Sequence, residues 1–450
     1  MIKMFINAFK VKEIRKKLLF TFLCLVLVRL GSLIPAPGIN NAAAREWLSV
    51  KFEGASGLIN MLTGGSLTKM SIFALSISPY ITSSIIMQLL TIAIPALAEM
   101  QKDGESGRKK IEKYSRYLTV LLAVIESSAM AIGFKNTYSG GQYLVQDGWL
   151  GVILVVVAFT AGSTFLMWLG ERITENGIGN GISIILLINI VAEFPQEFSI
   201  LFVNHVFSRE KLVGKLFAGL LVVVLVLFVL VLIILLQDAE RRIAVQYSKK
   251  MVGRKMMGGN STFIPLKVNT AGVIPVIFAV SIFQFPLIIA SFFGKSASRS
   301  GGLLGKFLYM CNTNNWFDFD GSNFAIKYTV GALLYIAMII FFAYFYTSIT
   351  FNPVEVAGNL KKSGGFIPGI RPGKPTIDYL TGVLNKIVFI GAIGLTIVAL
   401  LPIICCGAFN VTSLGFGGTS LIIVVGVILE TLKQVESMML TRHYKGFLSE

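Results

Sequence analysis

The sequence predicts an all-α polytopic membrane protein with ten transmembrane helices, and three observations carry that reading. Of its 450 residues 54% are hydrophobic, and the mean hydropathy is +0.75, well above that of a soluble globular chain. Apolar runs close to the ~20 residues that a helix needs to cross hydrocarbon recur along the whole length. Lysine and arginine are shared unevenly between alternate connecting segments, as an oriented multi-pass chain requires.

The expected spans, in order, are 18–35, 72–97, 115–134, 149–169, 180–195, 212–236, 270–293, 328–351, 384–404 and 415–434. The first apolar run, Leu18 to Pro35, is too long and too well integrated with the rest of the chain to read as a cleaved signal peptide. The second begins in SIFALSISPYITSSIIMQLL, Ser71 to Leu90, where Ile77, Ile81 and Ile85 recur every fourth residue and form one helical stripe. Pro79 is expected inside that helix, interrupting its hydrogen-bond ladder. Just upstream, Ser56 to Lys69 (SGLINMLTGGSLTK) is half apolar, too short to span and punctuated by Gly64-Gly65. A short plug ahead of an isoleucine-striped, broken helix fits a hydrophobic constriction that gates a pore. Isoleucine at helical spacing is more often plain packing, so the residues alone fit better an ordinary packed helix behind a re-entrant loop and leave both readings open. Ile387 to Leu429 carries no charge, and Pro402 with the glycine-rich stretch through Gly418 divides it into two spans. Gly177-Ile178-Gly179-Asn180-Gly181 reads as the turn that starts the fifth span.

Alternate segments beginning at the N-terminus hold 28 of the 40 Lys and Arg residues, the opposite side holds 11, and Arg29 falls within the first span. The richer side is cytoplasmic, so both termini are expected inside: 1–17 as an N-terminal segment and 435–450 as a C-terminal tail. The spans divide into two sets of five, 18–195 and 212–434, separated by the outer loop 196–211. The second span of each set has an irregular start and prolines: Pro79 in one, Asn269 to Gly272 with Pro275 and Pro286 in the other. Interrupted segments at matching positions point to the working site of an inverted-repeat protein, so spans two and seven are the expected moving parts.

The formal net charge of +17 must sit in loops, where it meets nucleic acid, anionic lipid or acidic protein. Two cytoplasmic loops, 237–267 and 352–383, are long and basic. The first alternates apolar and polar residues around Ile243 to Tyr247, a strand signal, and carries Gly253-Arg254-Lys255 at its tip. The second carries Lys361 and Lys362, and then Arg371 in a Gly/Pro frame suited to forking onto phosphate or carboxylate. Topology and lipid attraction alone explain scattered lysines, but explain a framed arginine less well.

Glu126 lies mid-span, where a carboxylate is costly unless paired, protonated or wetted. Thr82, Gln88 and Asn269 are its candidate partners, either as a polar cluster holding a gate or as the ion site of a secondary transporter. Arg29 is expected to snorkel outward near Pro35. Cys24, Cys311, Cys405 and Cys406 have no metal spacing, two histidines are too few for a conventional zinc site, and vicinal Cys405-Cys406 reads as two small hydrophobes. The chain has no G-x-x-x-x-G-K-[ST], G-x-S-x-G or H-E-x-x-H motif, so no enzyme, cofactor or metal is expected.

From about residue 12 to Tyr444 the chain resembles the SecY/Sec61α family of protein-conducting channels. The stretches RLGSLIPAPGI, TGGSLTKMSIFALSISPYI, NGIGNGISI, PLKVNTAGVIP, NPVEVAGNLKKSGGFIPGIRPG and GGTSLIIVVGVILE occur in the family's order. The resemblance implies an hourglass pore between two inverted five-helix halves hinged at 196–211. At its waist it implies an apolar ring of Ile77, Ile81, Leu186, Ile190, Ile277 and Ile423, with Leu186 replacing a frequent isoleucine. It implies a plug at about 56–69, built around Ser56, Gly57, Leu58, Ile59, Asn60, Met61, Leu62, Thr63, Gly64 and Gly65. It implies a lateral gate between spans two/three and seven/eight with a polar cluster of Thr82, Glu126 and Asn269, Gln88 nearby; many bacterial relatives carry glutamine where Glu126 stands. Arg371 matches the arginine that engages the motor ATPase SecA and the ribosome, and Arg254 and Lys255 match the neighbouring basic tip. The implied partners are SecE and SecG, SecA, the ribosome, YidC and SecDF, signal-bearing polypeptides and anionic lipid. The implied location is the bacterial plasma membrane. The outer loop Gly294 to Lys327 has no matched counterpart.

Overall fold

Apolar runs of this length close their backbone hydrogen bonds internally, and helix is the form that does so within one segment. The computed structural model describes residues 9–40, 63–136, 144, 148–201, 203, 212–247, 250–252, 255–257, 261–292, 303–311, 316, 329–409 and 418–446.

A helix stands at each expected span. The first five are α1 (Lys12–Gly31), α2 (Ser78–Ala93, continued after a break by α3, Pro95–Lys102), α4 (Glu105–Asn136), α5 (Trp149–Asn176) and α6 (Gly181–Leu201). The second five are α7 (Leu212–Asp238), α8 (Ile274–Phe292), α10 (Thr329–Thr350), α12 (Lys374–Phe409) and α13 (Gly418–Gly446), with short α9 (Leu303–Cys311) and α11 (Pro353–Lys362) between them. Among the described residues, four helices are individually long and apolar enough to cross a bilayer, and Ser78–Ala93 with Pro95–Gln101 forms a further candidate bent by 106°.

The packing repeats. In the first set α1 lies on α5 and α6, α2 on α4, α4 on α5, and α5 on α6. In the second set α7 lies on α12 and α13, α8 on α10, α10 on α12, and α12 on α13. Helices at corresponding positions of the two sets thus make corresponding contacts, the pattern an inverted repeat produces. The sets meet where α6 packs on α13 and where α4 packs on α8.

Pro79 does not interrupt the second span. It sits in the first turn of α2, where its missing N–H has no intrahelical acceptor to lose. The irregular part is Ser71 to Ile77, a run of turns, and the break comes instead at Ile94 before Pro95. The seventh span starts the same way: turns precede α8, and Pro275 falls in its first turn while Pro286 is interior.

The glycine-rich turn before α6 is tied down by side chains from three helices. Asn180 Oδ1 accepts from the N–H groups of Ile182 (3.1 Å) and Ser183 (3.4 Å), Gly181 N–H donates to Thr174 Oγ1 (2.9 Å), and Gly179 N–H donates to Gln434 Oε1 (2.6 Å). Gly181 is pressed on the Gly170 carbonyl, so no Cβ fits there.

The two long basic loops form one layer. β1 (Glu240–Tyr247) pairs antiparallel with β4 (Ser261–Lys267), and β5 (Gly365–Phe366), from the second loop, pairs with the other edge of β1. The strand signal at Ile243 to Tyr247 thus corresponds to β1, whose Ile243 and Val245 face a core shared with Leu266, Leu360, Ile367 and Leu380. β2 (Lys250–Val252) and β3 (Lys255–Met257) pair antiparallel as a separate small sheet between β1 and β4 in sequence. Within the unmatched outer loop, Trp316 is buried against Phe283 and Tyr335 and donates to the Met310 carbonyl at 2.7 Å.

Candidate functional site: an apolar waist, its seal segment and a basic platform

Ile77 is the residue at which turn becomes helix, and its side chain is wholly buried. Ile190, also wholly buried, comes from the middle of α6, and Ile423 from the start of α13. These three lie in one apolar cluster, with half-buried Ile81 of α2 and Ile277 of α8 packed against it. Four helices from both sets therefore converge on one apolar region. Leu186, the sixth expected ring residue, is buried but is not a member of this cluster. Branched aliphatic groups offer water and peptide no hydrogen bond.

Of the expected plug, Ser56 to Leu62 lie outside the described residues, and Thr63, Gly64 and Gly65 lie within them, all buried. Gly64 and Gly65 both adopt left-handed backbone, φ +62° and +72°. The segment leaves along a fixed seam: Ala36 N–H donates to the Met70 carbonyl (2.8 Å) and Ile72 N–H to the Ile34 carbonyl (3.0 Å). Arg29 does not snorkel outward. Its Nη1 donates to the Gly64 carbonyl at 3.3 Å, because a carbonyl of the glycine turn offers the half-buried guanidinium a partner. Sequence reasoning missed the α6 side of this contact, Asn189 and Glu193. The signal was present: Glu193 is a lone acid in an apolar run, at the same end of the membrane as Arg29.

The expected gate cluster is not joined by hydrogen bonds. Thr82 Oγ1 donates to the Ser78 carbonyl of its own helix (3.1 Å), and Gln88 Oε1 and Asn269 Nδ2 are buried without partners. Glu126 is half-buried, with no hydrogen bond or ion pair to another described residue. The four sit on elements that do touch, since α4, which carries Glu126, packs on both α2 and α8. Asn269 lies in the turn before α8, which rests on Gly391 of α12. Gln88 instead lines a cleft of about 280 Å3 with Tyr80, Thr91, Arg108 and Glu112.

On the basic platform, Lys361 and Lys362 end α11 and Arg371 follows in the turn beyond β5, all three exposed and without an ion pair among the described residues. The turn is held from within: Ile370 N–H donates to the Ile367 carbonyl (3.0 Å), Thr376 Oγ1 donates to the Arg371 carbonyl (2.9 Å), and Gly369 and Gly373 take φ +81° and +110°. Arg254 lies outside the described residues, and Lys255 opens β3. Where α7 ends, Lys433 Nζ meets Asp238 at 2.9 Å and holds that carboxyl below the usual carboxylate range. No grouping of His, Cys, Asp and Glu among the described residues suits a metal ion.

The SecY family model matches residues 71–432. The chain is 43% identical over 467 residues to the protein translocase subunit SecY of Streptomyces coelicolor, with both chains covered in full. Among solved structures it resembles a protein-conducting channel (TM-score 0.61, 19% identity, 95% of this chain and 93% of that one). It also resembles Sec61 from a canine ribosome-channel complex of the endoplasmic reticulum (TM-score 0.58, 18% identity, 95% and 93%). The family-model match over most of the chain and the full-length identity lead to one conclusion: the chain belongs to the SecY family.

Proposed function

We infer that this chain is the channel subunit of a protein translocase, a multi-pass protein of the bacterial plasma membrane with both termini cytoplasmic. Unfolded secretory polypeptides pass through the apolar waist, and sufficiently apolar segments leave sideways into lipid between α2/α4 and α8/α10. The observation that carries this reading is the convergence of Ile77, Ile81, Ile190, Ile277 and Ile423 from four helices on one apolar cluster. Such a ring seals around a chain of any sequence because it offers no hydrogen bonds to choose with. Lateral exit is favoured by about 25 cal/mol per Å2 of apolar surface transferred.

The chain has no nucleotide motif, so a partner supplies the energy: a motor ATPase of the SecA type or a translating ribosome, the latter being the partner in the solved Sec61 complex. The platform of Lys361, Lys362 and Arg371, with Lys255 on the neighbouring hairpin and Arg254 next to it in sequence, suits acidic protein and RNA phosphate. Small membrane subunits of the SecE and SecG type complete the assembly. A secondary transporter would need polar groups converging at mid-membrane, and Glu126 has no hydrogen-bonded or ionic partner among the described residues.

Proteoliposomes holding this chain with its small subunits test the reading. A signal-bearing precursor should become protease-protected when motor and ATP are added. Uptake of a small solute without any motor, and no protection of precursor, would overturn it.

A further inference from the structure

We propose that Arg29, Asn189 and Glu193 form a polar latch that positions the Gly64-Gly65 turn against α6 and so holds the channel shut until a polypeptide displaces the turn. The proposal rests on the reading of 56–69 as a plug. It assigns roles to three residues outside that segment.

Three sets of contacts meet at the glycine pair. Arg29 Nη1 donates to the Gly64 carbonyl at 3.3 Å. A Cβ placed on Gly64 would stand 2.9 Å from both Cα and Cβ of Asn189 and 2.8 Å from Arg29 Nη1, so the turn lies directly on α6 and α1. A Cβ on Gly65 would strike Glu193 Oε1, which places the carboxylate one turn further along α6, over the second glycine. The glycines are what permit this approach: both take positive φ, and both lack the atom that would collide. The turn is closed internally by Thr68 Oγ1, which donates to the Gly65 carbonyl at 2.9 Å.

Asn189 ties the same point to the start of the second span. Its Nδ2 donates to Ser76 Oγ at 3.2 Å, buried, one residue before the ring position Ile77. Ser76 and Met70 are the two described non-glycine residues with positive φ, +51° and +48°. They bracket the connection between the latched turn and α2, and a left-handed non-glycine residue costs energy that surrounding contacts must offset. Releasing the turn therefore also frees the segment that carries Ile77.

Charge sets the direction of the latch. Glu193 faces Arg29 on α1 and Lys69 in the seal segment, the two cations whose charges reach it. Neither makes direct ion-pair contact, so the carboxylate acts by holding a cationic segment over α6 rather than through one bridge. A half-buried site weakens screening and makes such an attraction effective. The latch is releasable because it consists of a few polar contacts, whereas the seam of Ile34 and Ala36 with Met70 and Ile72 holds the segment's far end.

Resting ion conductance of the reconstituted channel, in its complex and without substrate, tests this. Glu193→Gln and Lys69→Glu should each raise it at least about fivefold, as loss of a coupling of ordinary size does. Both should also admit a precursor with a defective signal sequence. The charge exchange Glu193→Lys with Lys69→Glu should return conductance toward wild type, which a merely structural role for either residue would not do. Deletion of Ser56–Gly65 serves as the reference. If the deletion leaks and the three variants stay at background, the latch is wrong and the plug stands. A silent deletion removes the plug reading, and the latch falls with it.

Discussion

Replacing Ile190 with serine strikes the waist at a wholly buried point. Truncating a buried isoleucine removes about 2–5 kcal/mol of packing when the cavity does not collapse. The new hydroxyl adds about 1–3 kcal/mol if it stays dry and unpaired. Four helices from both sets hold the cluster, so the site cannot collapse without moving one set against the other. The cheaper response is for water to enter and satisfy the hydroxyl, which ends the dewetting on which the seal depends. If only a third of the smaller packing loss is specific to the closed state, about 0.7 kcal/mol, the open fraction rises roughly threefold; the full loss raises it more than tenfold. Single-channel recording with Ser56–Gly65 deleted reads the waist without its cover. Ile190→Val, which keeps a branched apolar group, should stay near the parent. Background conductance for Ile190→Ser in the deleted channel would refute the assignment of Ile190 to the seal.

Arg371→Glu should abolish motor-driven translocation while the protein still inserts and assembles, because an exposed side chain on a turn held by its own backbone is reversed; unchanged translocation would remove its docking role. Raising salt from 50 to 200 mM should weaken ribosome binding to the wild-type platform markedly, as phosphate contacts do, and a flat salt titration would contradict that chemistry. Gly181→Val should destabilise the protein by about 1–3 kcal/mol or more in a thermal unfolding assay, since Gly170 and Ile173 occupy the space a side chain needs. Lys433→Gln, in contrast, should cost under about 1 kcal/mol, because both partners of that bridge are largely solvated. Whatever the Asp238 bridge contributes should be present above the ordinary carboxylate range and fade as pH falls through the lowered value.

Hydropathy made the helices at the expected apolar segments legible, because it is a property of single segments and survives without knowledge of neighbours. The isoleucine stripe on α2 was legible for the same reason, and Ile77 and Ile81 do enter the shared cluster. What failed was local geometry that depends on where a helix begins. Pro79 reads as a break only if the helix is assumed to start at Ile72; starting at Ser78, the same proline is a comfortable first-turn residue. The contacts of Arg29, Asn189 and Glu193 were hidden because they join segments from three parts of the chain around two glycines, and no periodicity marks such a meeting. The gate residues show the converse. Family position brought Thr82, Gln88, Glu126 and Asn269 together, while the packing leaves them on touching elements without a bond between them.

The most direct test of a polypeptide path through the waist is photocrosslinking from a probe at Ile81 to a stalled secretory nascent chain in native membranes. A probe at the exposed Leu227 of α7 controls for reactivity. A crosslink at Ile81 that requires an intact signal sequence is the predicted result. No crosslink at Ile81, while Leu227 reacts efficiently with lipid, would mean that the isoleucine cluster is packing and that substrates do not pass through it.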